Sequence, residues 1–187
     1  MNKKRCHWAI GPLDIEYHDN EWGRETHNDQ MLFEYLILEG MQAGLSWSLI
    51  LKKRENFKRA FDNFDYNICA NYTDEYLESL REDASIIRNK LKIYSVRKNA
   101  LAFIKVQKEF GSFDKYIWGF TNYKKINNKL ESYKDAASES ELSTKISKDL
   151  KKRGFSFVGS TIIYSYMQAI GMINDHEKGC FCYKECC

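Results

Sequence analysis

The chain has 187 residues, of which 43% are hydrophobic and 14% aromatic, enough to build a packed core and to exclude a disordered polypeptide. One proline and ten glycines are about half the usual share, which argues against the turn-rich composition of a β-sandwich or barrel. Twenty-nine basic and 26 acidic residues leave a net charge of only +3, so a nucleic-acid partner must be argued from local patches rather than bulk charge.

The predicted elements are helical. Residues 31–38 are apolar on most sides and follow Asn28 and Asp29, both good helix-capping types. Residues 46–61 set Leu49, Ile50, Phe57 and Phe61 on one face and Lys52, Lys53, Arg54 and Lys58 elsewhere. Thr73 caps a short helix through Leu80. Over 89–110, Ile93, Val96, Ala100, Phe103 and Ile104 recur at three- and four-residue steps, and Gly111 stops the run. Shorter helices are expected over 112–120, 143–153 and 160–170, the last two ending at Gly154 and Gly171. Residues 62–72 and 121–137 have mixed patterns, expected as loops with a turn or two of helix and no assigned function. A strand near 10–15 is not excluded, but nothing alternates. The expected class is all-α, in one domain spanning 1–187.

Six cysteines do not form a disulfide framework by pattern, because Cys6 and Cys69 stand far from Cys180, Cys182, Cys186 and Cys187. No apolar run follows Lys3, Lys4 and Arg5, so no secretory signal is read and a cytoplasmic location is expected. Thiols there stay reduced, and cysteines near histidines point to metal before disulfides. Residues 154–174 carry no charge but many hydroxyl, amide and glycine positions, which fits a buried helix pair better than a membrane span. No membrane association is expected, and a monomer is.

Four constellations carry possible chemistry. Cys6 and His18 near one end, with His176 and Cys180 near the other, offer two thiolates and two imidazoles, a closed tetrahedral set typical of structural zinc. On spacing alone chance pairing accounts for them equally well, and His7, His27 and Cys182 are rival ligands. Residues 17–23 (Tyr-His-Asp-Asn-Glu-Trp-Gly) are dense in acceptors and rings, which suits either a pocket or a polar loop anchored by Trp22. Residues 38–47 place Glu39 at the end of an apolar helix, then Gly40, Gly44, Leu45, Ser46 and Trp47. A carboxylate beside aromatics and a glycine turn suits a cleft for a flat, donor-bearing ligand, and an ordinary interhelical turn is the plainer alternative. Residues 151–161 run from a basic helix end through a short apolar hairpin to a new helix. In this pattern Lys151, Lys152, Gly154, Gly159 and Ser160 would hold a DNA phosphate, unless it is a glycine-terminated helix with a solvated end.

Together these segments closely resemble the type I 3-methyladenine DNA glycosylases, in the family's order and over nearly the whole chain. The carriers are 17–23, 38–47 with the Leu-Lys-Lys-Arg-Glu-Asn of 51–56, 151–159, and Asn174, Asp175 and His176 followed by Gly179 and Cys180. The resemblance implies an all-α helix–hairpin–helix glycosylase, the hairpin unit spanning about 143–171. It implies one structural Zn²⁺ on Cys6, His18, His176 and Cys180, joining 6–18 to 176–180. Tyr17 and Glu39 become the catalytic and base-reading pair, Trp8, Trp22 and Trp47 the base-stacking walls, and Gly44 and Leu45 the loop entering the gap left by an extruded base. The implied reaction is base excision repair: 3-methyladenine is flipped from alkylated double-stranded DNA and cut from its sugar, leaving an abasic site.

Some positions depart from the family pattern. Ser85 stands where glycine is expected, Leu91 replaces a small residue, and Asp14 stands where some relatives carry an aromatic ring. Asp175 is expected to be structural, and Cys186 and Cys187 to be plain thiols. A non-catalytic, zinc-stabilised DNA-binding module is the alternative from another class, and it would not need the Tyr17/Glu39/tryptophan pocket. A zinc hydrolase or deaminase is disfavoured because four protein ligands leave no site for water.

Overall fold

Side chains of Asn28, Ser46, Thr73, Asn89, Ser112 and Ser140 each accept a backbone N–H three residues on and so set helix starts. The computed structural model describes residues 3–187. It contains α1 (Pro12–Asn20), α2 (Asp29–Gln42), α3 (Trp47–Ala60), α4 (Tyr66–Cys69), α5 (Asp74–Ser79), α6 (Lys90–Phe110), α7 (Phe113–Gly119), α8 (Glu141–Lys152), α9 (Ser160–Ala169) and α10 (Cys182–Glu185). Every predicted helix is present within a few residues. None is long and apolar enough to cross a membrane, among the described residues.

Helix α2 is the centre. It buries residues on every side, from Leu32 to Met41, and α3, α6, α7 and α9 pack around it. Each fully buried leucine or phenylalanine there is worth about 1.5–3 kcal/mol. A three-way ion pair fastens this centre to the chain's beginning: Arg54 on α3 donates to Glu34 on α2 (2.7 Å) and to Glu21 just after α1 (2.8 Å). Glu21 also accepts from Tyr35 at 2.7 Å.

The possible strand over 10–15 and the polar-loop reading of 17–23 give way to α1, whose first residue is Pro12 after Gly11. Proline at the first helical position presets φ and loses no bond there, and this signal marks a helix that no apolar stripe announces. The fold is mostly helical, as expected, with one two-residue pair in which β1 (Ile126–Asn127) runs parallel to β2 (Ile173–Asn174). That pairing runs the 121–137 segment alongside the stretch leading to His176. Further contacts extend it: Lys178 N–H donates to Leu130 O (2.8 Å) and Tyr133 N–H to Glu177 Oε1 (3.1 Å).

Helices α8 and α9 pack on each other across the turn 153–159. Phe155 and Val158 are buried in it, and Gly154 has φ +96°. Asn99 on α6 grips its backbone on both sides, accepting from Ser156 N–H (2.8 Å) and donating to Ser156 O (3.0 Å). Phe157 lies against Gly40 of α2, where a Cβ would come within 3.2 Å of Phe157 Cβ. The turn therefore rests on the helix that carries Glu39.

Candidate active site

A cavity of about 190 Å³ opens between α1, α2, α3 and α9 and is lined by Trp8, Tyr17, Trp22, Glu39, Gln42, Trp47, Tyr133, Ser165 and Gln168. It is well below the roughly 300–1,000 Å³ of drug-sized pockets, so it suits one heterocyclic base rather than a nucleotide. All five residues expected from the sequence to bind a base converge here. Trp8 and Trp22 meet edge to face at 5.0 Å, and Tyr17 and Trp47 tilt together at 5.1 Å.

Its polar chemistry is unusual. Tyr17 Oη, Glu39 Oε2, Trp8 Nε1 and Trp47 Nε1 are buried with no hydrogen-bond partner, and all four residues line the one cavity. Buried polar groups rarely stay unsatisfied, so the set points to a ligand offering both donors and acceptors. Glu39 is not at the helix end but inside the last turn of α2, which runs on to Gln42, and it is only 4% exposed. Burial alone pushes its carboxyl up to about 8.

Sequence reasoning missed Gln42, Tyr133, Ser165 and Gln168. Ser165 and Gln168 stand three apart on α9, which puts them on one edge of the helix, the edge that faces the cavity. Tyr133 comes from a segment given no function; it stands 5.8 Å from Trp22, ring centre to ring centre, and closes a wall. Burial raises its hydroxyl to about 12. Asp14 does not line the cavity; it accepts from Ser48 (2.8 Å) and ties α1 to α3. Asp175 is fully buried and its oxygens accept from Asn128 (2.7 Å), Tyr164 (2.9 Å) and Gln168 (2.7 Å). It holds Gln168 in place, in keeping with a structural part.

Behind the aromatic wall lies a cysteine–histidine cluster. His18, His176, Cys180 and Cys182 each bring one ligand atom within 4.8 Å of the others. Of the expected set, His18, His176 and Cys180 are thus together, and the rival Cys182 lies within the same mutual group. Cys6 lies outside that mutual group but is buried beside it, its backbone N–H donating to His18 Nε2 (3.4 Å), and the nearby Cys182 and Cys6 thiols hold Cys180 toward the thiolate. His7 and His27 are instead engaged by Glu177 (2.6 Å) and Asp114 (2.7 Å). No disulfide joins any of the six cysteines.

The donor set fits a metal. His18 Nδ1 donates to Asp19 (2.8 Å), itself held by Arg5 at 2.7 Å, and His176 Nδ1 donates to Asn174 (3.0 Å). Each imidazole thereby turns Nε2 inward, and His176 Nε2 is buried without a partner. Burial also lowers His176 to about 4, keeping its ring neutral, the form that could ligate a metal. Gly23 borders this cluster in a left-handed conformation, φ +76°, where a Cβ would lie 2.6 Å from His176 Cε1. The cluster backs the cavity directly, with Trp22 4.6 Å from His176 and Trp8 5.3 Å from His18 between ring centres.

On the surface, Lys151 and Lys152 are exposed at the end of α8. Arg153 is taken up by Asp149 (2.6 Å) and Glu109 (2.7 Å). Space is open around Gly44, Gly154 and Gly159, and the Ser160 hydroxyl donates to Glu139. Leu45 is 37% exposed at the tip of its turn. Ser85 is not in the left-handed region, so glycine is not required there; its carbonyl accepts from Lys53 (2.8 Å) and Asn56 (3.0 Å). Leu91 is 72% exposed.

A mostly helical frame around an aromatic pocket with unsatisfied donors and acceptors suits a protein that takes up a flat heterocycle. The family model described as Methyladenine glycosylase matches residues 8–183, and the chain belongs to that family. It is 44% identical to DNA-3-methyladenine glycosylase 1 of Escherichia coli K12, over 96% of this chain and 97% of the relative. It is 40% identical to DNA-3-methyladenine glycosylase of Haemophilus influenzae, over 95% and 97%. The solved structure of 3-methyladenine DNA glycosylase I from Staphylococcus aureus, a study of 3-methyladenine recognition, matches with TM-score 0.92 at 32% identity over 95% of each chain.

The buried carboxyl makes stability depend on pH. Its folded value of about 8 lies above the unfolded carboxylate range, so the folded state holds a proton that the unfolded state has lost. Stability therefore falls as pH rises from about 4.5 and the loss is complete above about 8. We expect Glu39→Gln to match the wild type near pH 4 and to exceed it at pH 9 by on the order of 4 kcal/mol. Denaturant unfolding at the two pH values reads this; an equal difference at both would show that Glu39 ionises normally.

Proposed function

We propose that the protein is a DNA repair glycosylase that flips 3-methyladenine from alkylated double-stranded DNA into this cavity and hydrolyses its N-glycosidic bond, leaving an abasic site. The observation that carries the reading is the set of four unsatisfied polar atoms around one base-sized aromatic cavity. A DNA-binding module without catalysis has no use for that set.

Methylation at N3 gives adenine a positive charge and weakens its bond to the sugar. Flipping costs a few kcal/mol, less where pairing is already damaged. Inside the cavity, the indole faces of Trp8, Trp22 and Trp47 attract the cationic ring by roughly 1–2 kcal/mol. Glu39 accepts from the exocyclic amine, and the Tyr17 hydroxyl and the indole N–H groups are placed to meet ring acceptors. The positive charge of the base lowers the proton affinity of Glu39, whose proton passes to solvent, and the resulting carboxylate prefers this base to neutral adenine. The C1′–N9 bond then breaks with its electron pair passing to the base, which leaves neutral. Water adds to the oxocarbenium-like sugar and releases one proton, so no cavity residue needs to protonate the leaving group.

In this reading α8, the turn 153–159 and α9 form a helix–hairpin–helix unit that binds the DNA backbone through Lys151, Lys152, Gly154, Gly159 and Ser160. A phosphate at the start of α9 must displace Glu139 from Ser160. Gly44 and Leu45 fill the gap left by the flipped base. One zinc is held by His18, His176, Cys180 and a fourth thiolate; Cys6 is the ligand that the family pattern supports, and Cys182 is its neighbour across Cys180. When bound, the ion supplies a closed coordination shell that ties the chain's ends together. The protein's own part is to orient both imidazoles through Asp19 and Asn174 and to rest Trp8 and Trp22 against them.

Glu39→Gln keeps the shape of the cavity but removes the charge and swaps an acceptor for a donor. We expect 3-methyladenine release in single turnover to fall roughly ten- to a thousand-fold, from loss of about 1.4–4 kcal/mol of charge-assisted contact. Release at the wild-type rate would overturn the mechanism. Elemental analysis should find about one zinc per chain, lost in Cys6→Ser and Cys180→Ser together with stability. Retention in Cys6→Ser with loss in Cys182→Ser would assign the fourth position to Cys182. Replacing Lys151 and Lys152 by alanine should weaken DNA binding uniformly across sequences and reduce its salt dependence by up to about two phosphate contacts; an unchanged slope would mean a merely solvated helix end.

A further inference from the structure

Lys92 is a buried cation that neither the core nor the cavity accounts for. It is 6% exposed, and its ammonium donates to Met41 O (2.8 Å) and Ala43 O (2.7 Å). Among the described residues no carboxylate pairs with it, and desolvation alone bears on its charge. Its place on its own helix is unfavourable, since it lies in the first turn of α6, the positive end of that helix's dipole.

The benefit lies on the neighbouring helix. The last carbonyls of α2 have no partners within the helix, and α2 has no basic residue in its own last turn. Lys92 reaches across to satisfy two carbonyls at that negative end. What it clamps is the turn linking the two halves of the site. Glu39 lies before this turn and Trp47 after it, Gln42 faces the cavity, and Gly44 takes φ +76°. Leu45 N–H folds back onto Gln42 O at 2.6 Å, leaving the Leu45 side chain exposed at the tip. Ser46 then starts α3 by accepting from Leu49 N–H (3.3 Å).

We propose that Lys92 is a positioning residue for base extrusion: by holding the carbonyls of Met41 and Ala43, it fixes the turn that presents Leu45 to the duplex while Gln42 stays in the cavity wall. Lys92 touches neither the base nor the sugar and acts through the turn. The proposal rests on the glycosylase reading given above and extends it to a residue outside the cavity.

A double-mutant cycle tests it, using wild type, Leu45→Ala, Lys92→Met and the double variant. Single-turnover release of 3-methyladenine from alkylated duplex is measured for each, normalised to folded protein. Binding of free 3-methyladenine is followed by quenching of tryptophan fluorescence. We expect Lys92→Met to slow release from duplex roughly 10- to 100-fold, as misplacement of a distant positioning group does. Its affinity for the free base should stay within about threefold, and the double variant should be within about twofold of the slower single variant. Additive losses, no loss on Lys92→Met, or a fall in free-base affinity matching the fall in release would each overturn the role. If Lys92→Met does not fold, Lys92→Gln, which keeps a neutral donor of shorter reach, carries the same cycle. A wild type that releases no 3-methyladenine would take down the glycosylase reading and this role with it. An active wild type with an additive cycle would remove the role of Lys92 alone.

Discussion

A carboxyl group buried without a donor is the constraint around which this molecule is arranged. Glu39 is on the most enclosed helix of the fold, and burial alone raises its proton affinity by several pH units. Such a group is costly in a folded protein that has no use for it, because every neighbouring side chain could have been apolar. The cost is tolerable where a ligand completes the site. The partnerless Tyr17 hydroxyl and the two indole N–H groups around the same space share that logic. Charge selectivity follows from it, since a carboxyl poised near neutrality loses its proton to solvent when a cation sits beside it.

The aromatic walls depend on the chain's two ends meeting. Trp8 and Trp22 come from the first two dozen residues, yet Trp22 is backed by His176 near the other end, and the imidazoles of His18 and His176 meet edge to face at 5.1 Å. Arg5, Asp19 and Asn174 fix how those rings point. The cysteine–histidine cluster is thus more than a staple at the edge of the fold, because disorder there would loosen the surfaces on which a base would stack. The parallel pair β1–β2 belongs to the same arrangement: it lays residues 121–137 along the C-terminal segment and so delivers Tyr133 to the remaining wall.

The putting together of pocket and DNA face also has a visible basis. Gly40 follows Glu39 and lies against Phe157, so the turn between α8 and α9 rests on the helix that carries Glu39. Asn99 and Lys92, both on α6, grip the backbone of that turn and of the turn after α2. One long helix therefore sets the relative position of the two loops on the proposed DNA-facing side, at a distance from the cavity itself.

Local sequence determined the helices with capping side chains and apolar stripes, because those signals act between residues three and four apart. The motifs around Tyr17, Glu39, Trp47 and His176 were legible as chemistry, and the resemblance they carry named the family. Helix α1 escaped because its faces do not differ in polarity and its start is marked only by Gly11 and Pro12. Tyr133 escaped because a loop residue has no period to reveal it. That Cys182 lies among His18, His176 and Cys180, why Asp14 is not a pocket wall, and what Lys92 holds were decided only by tertiary structure. These depend on contacts between residues dozens to more than a hundred positions apart, whose distances in space no local pattern encodes.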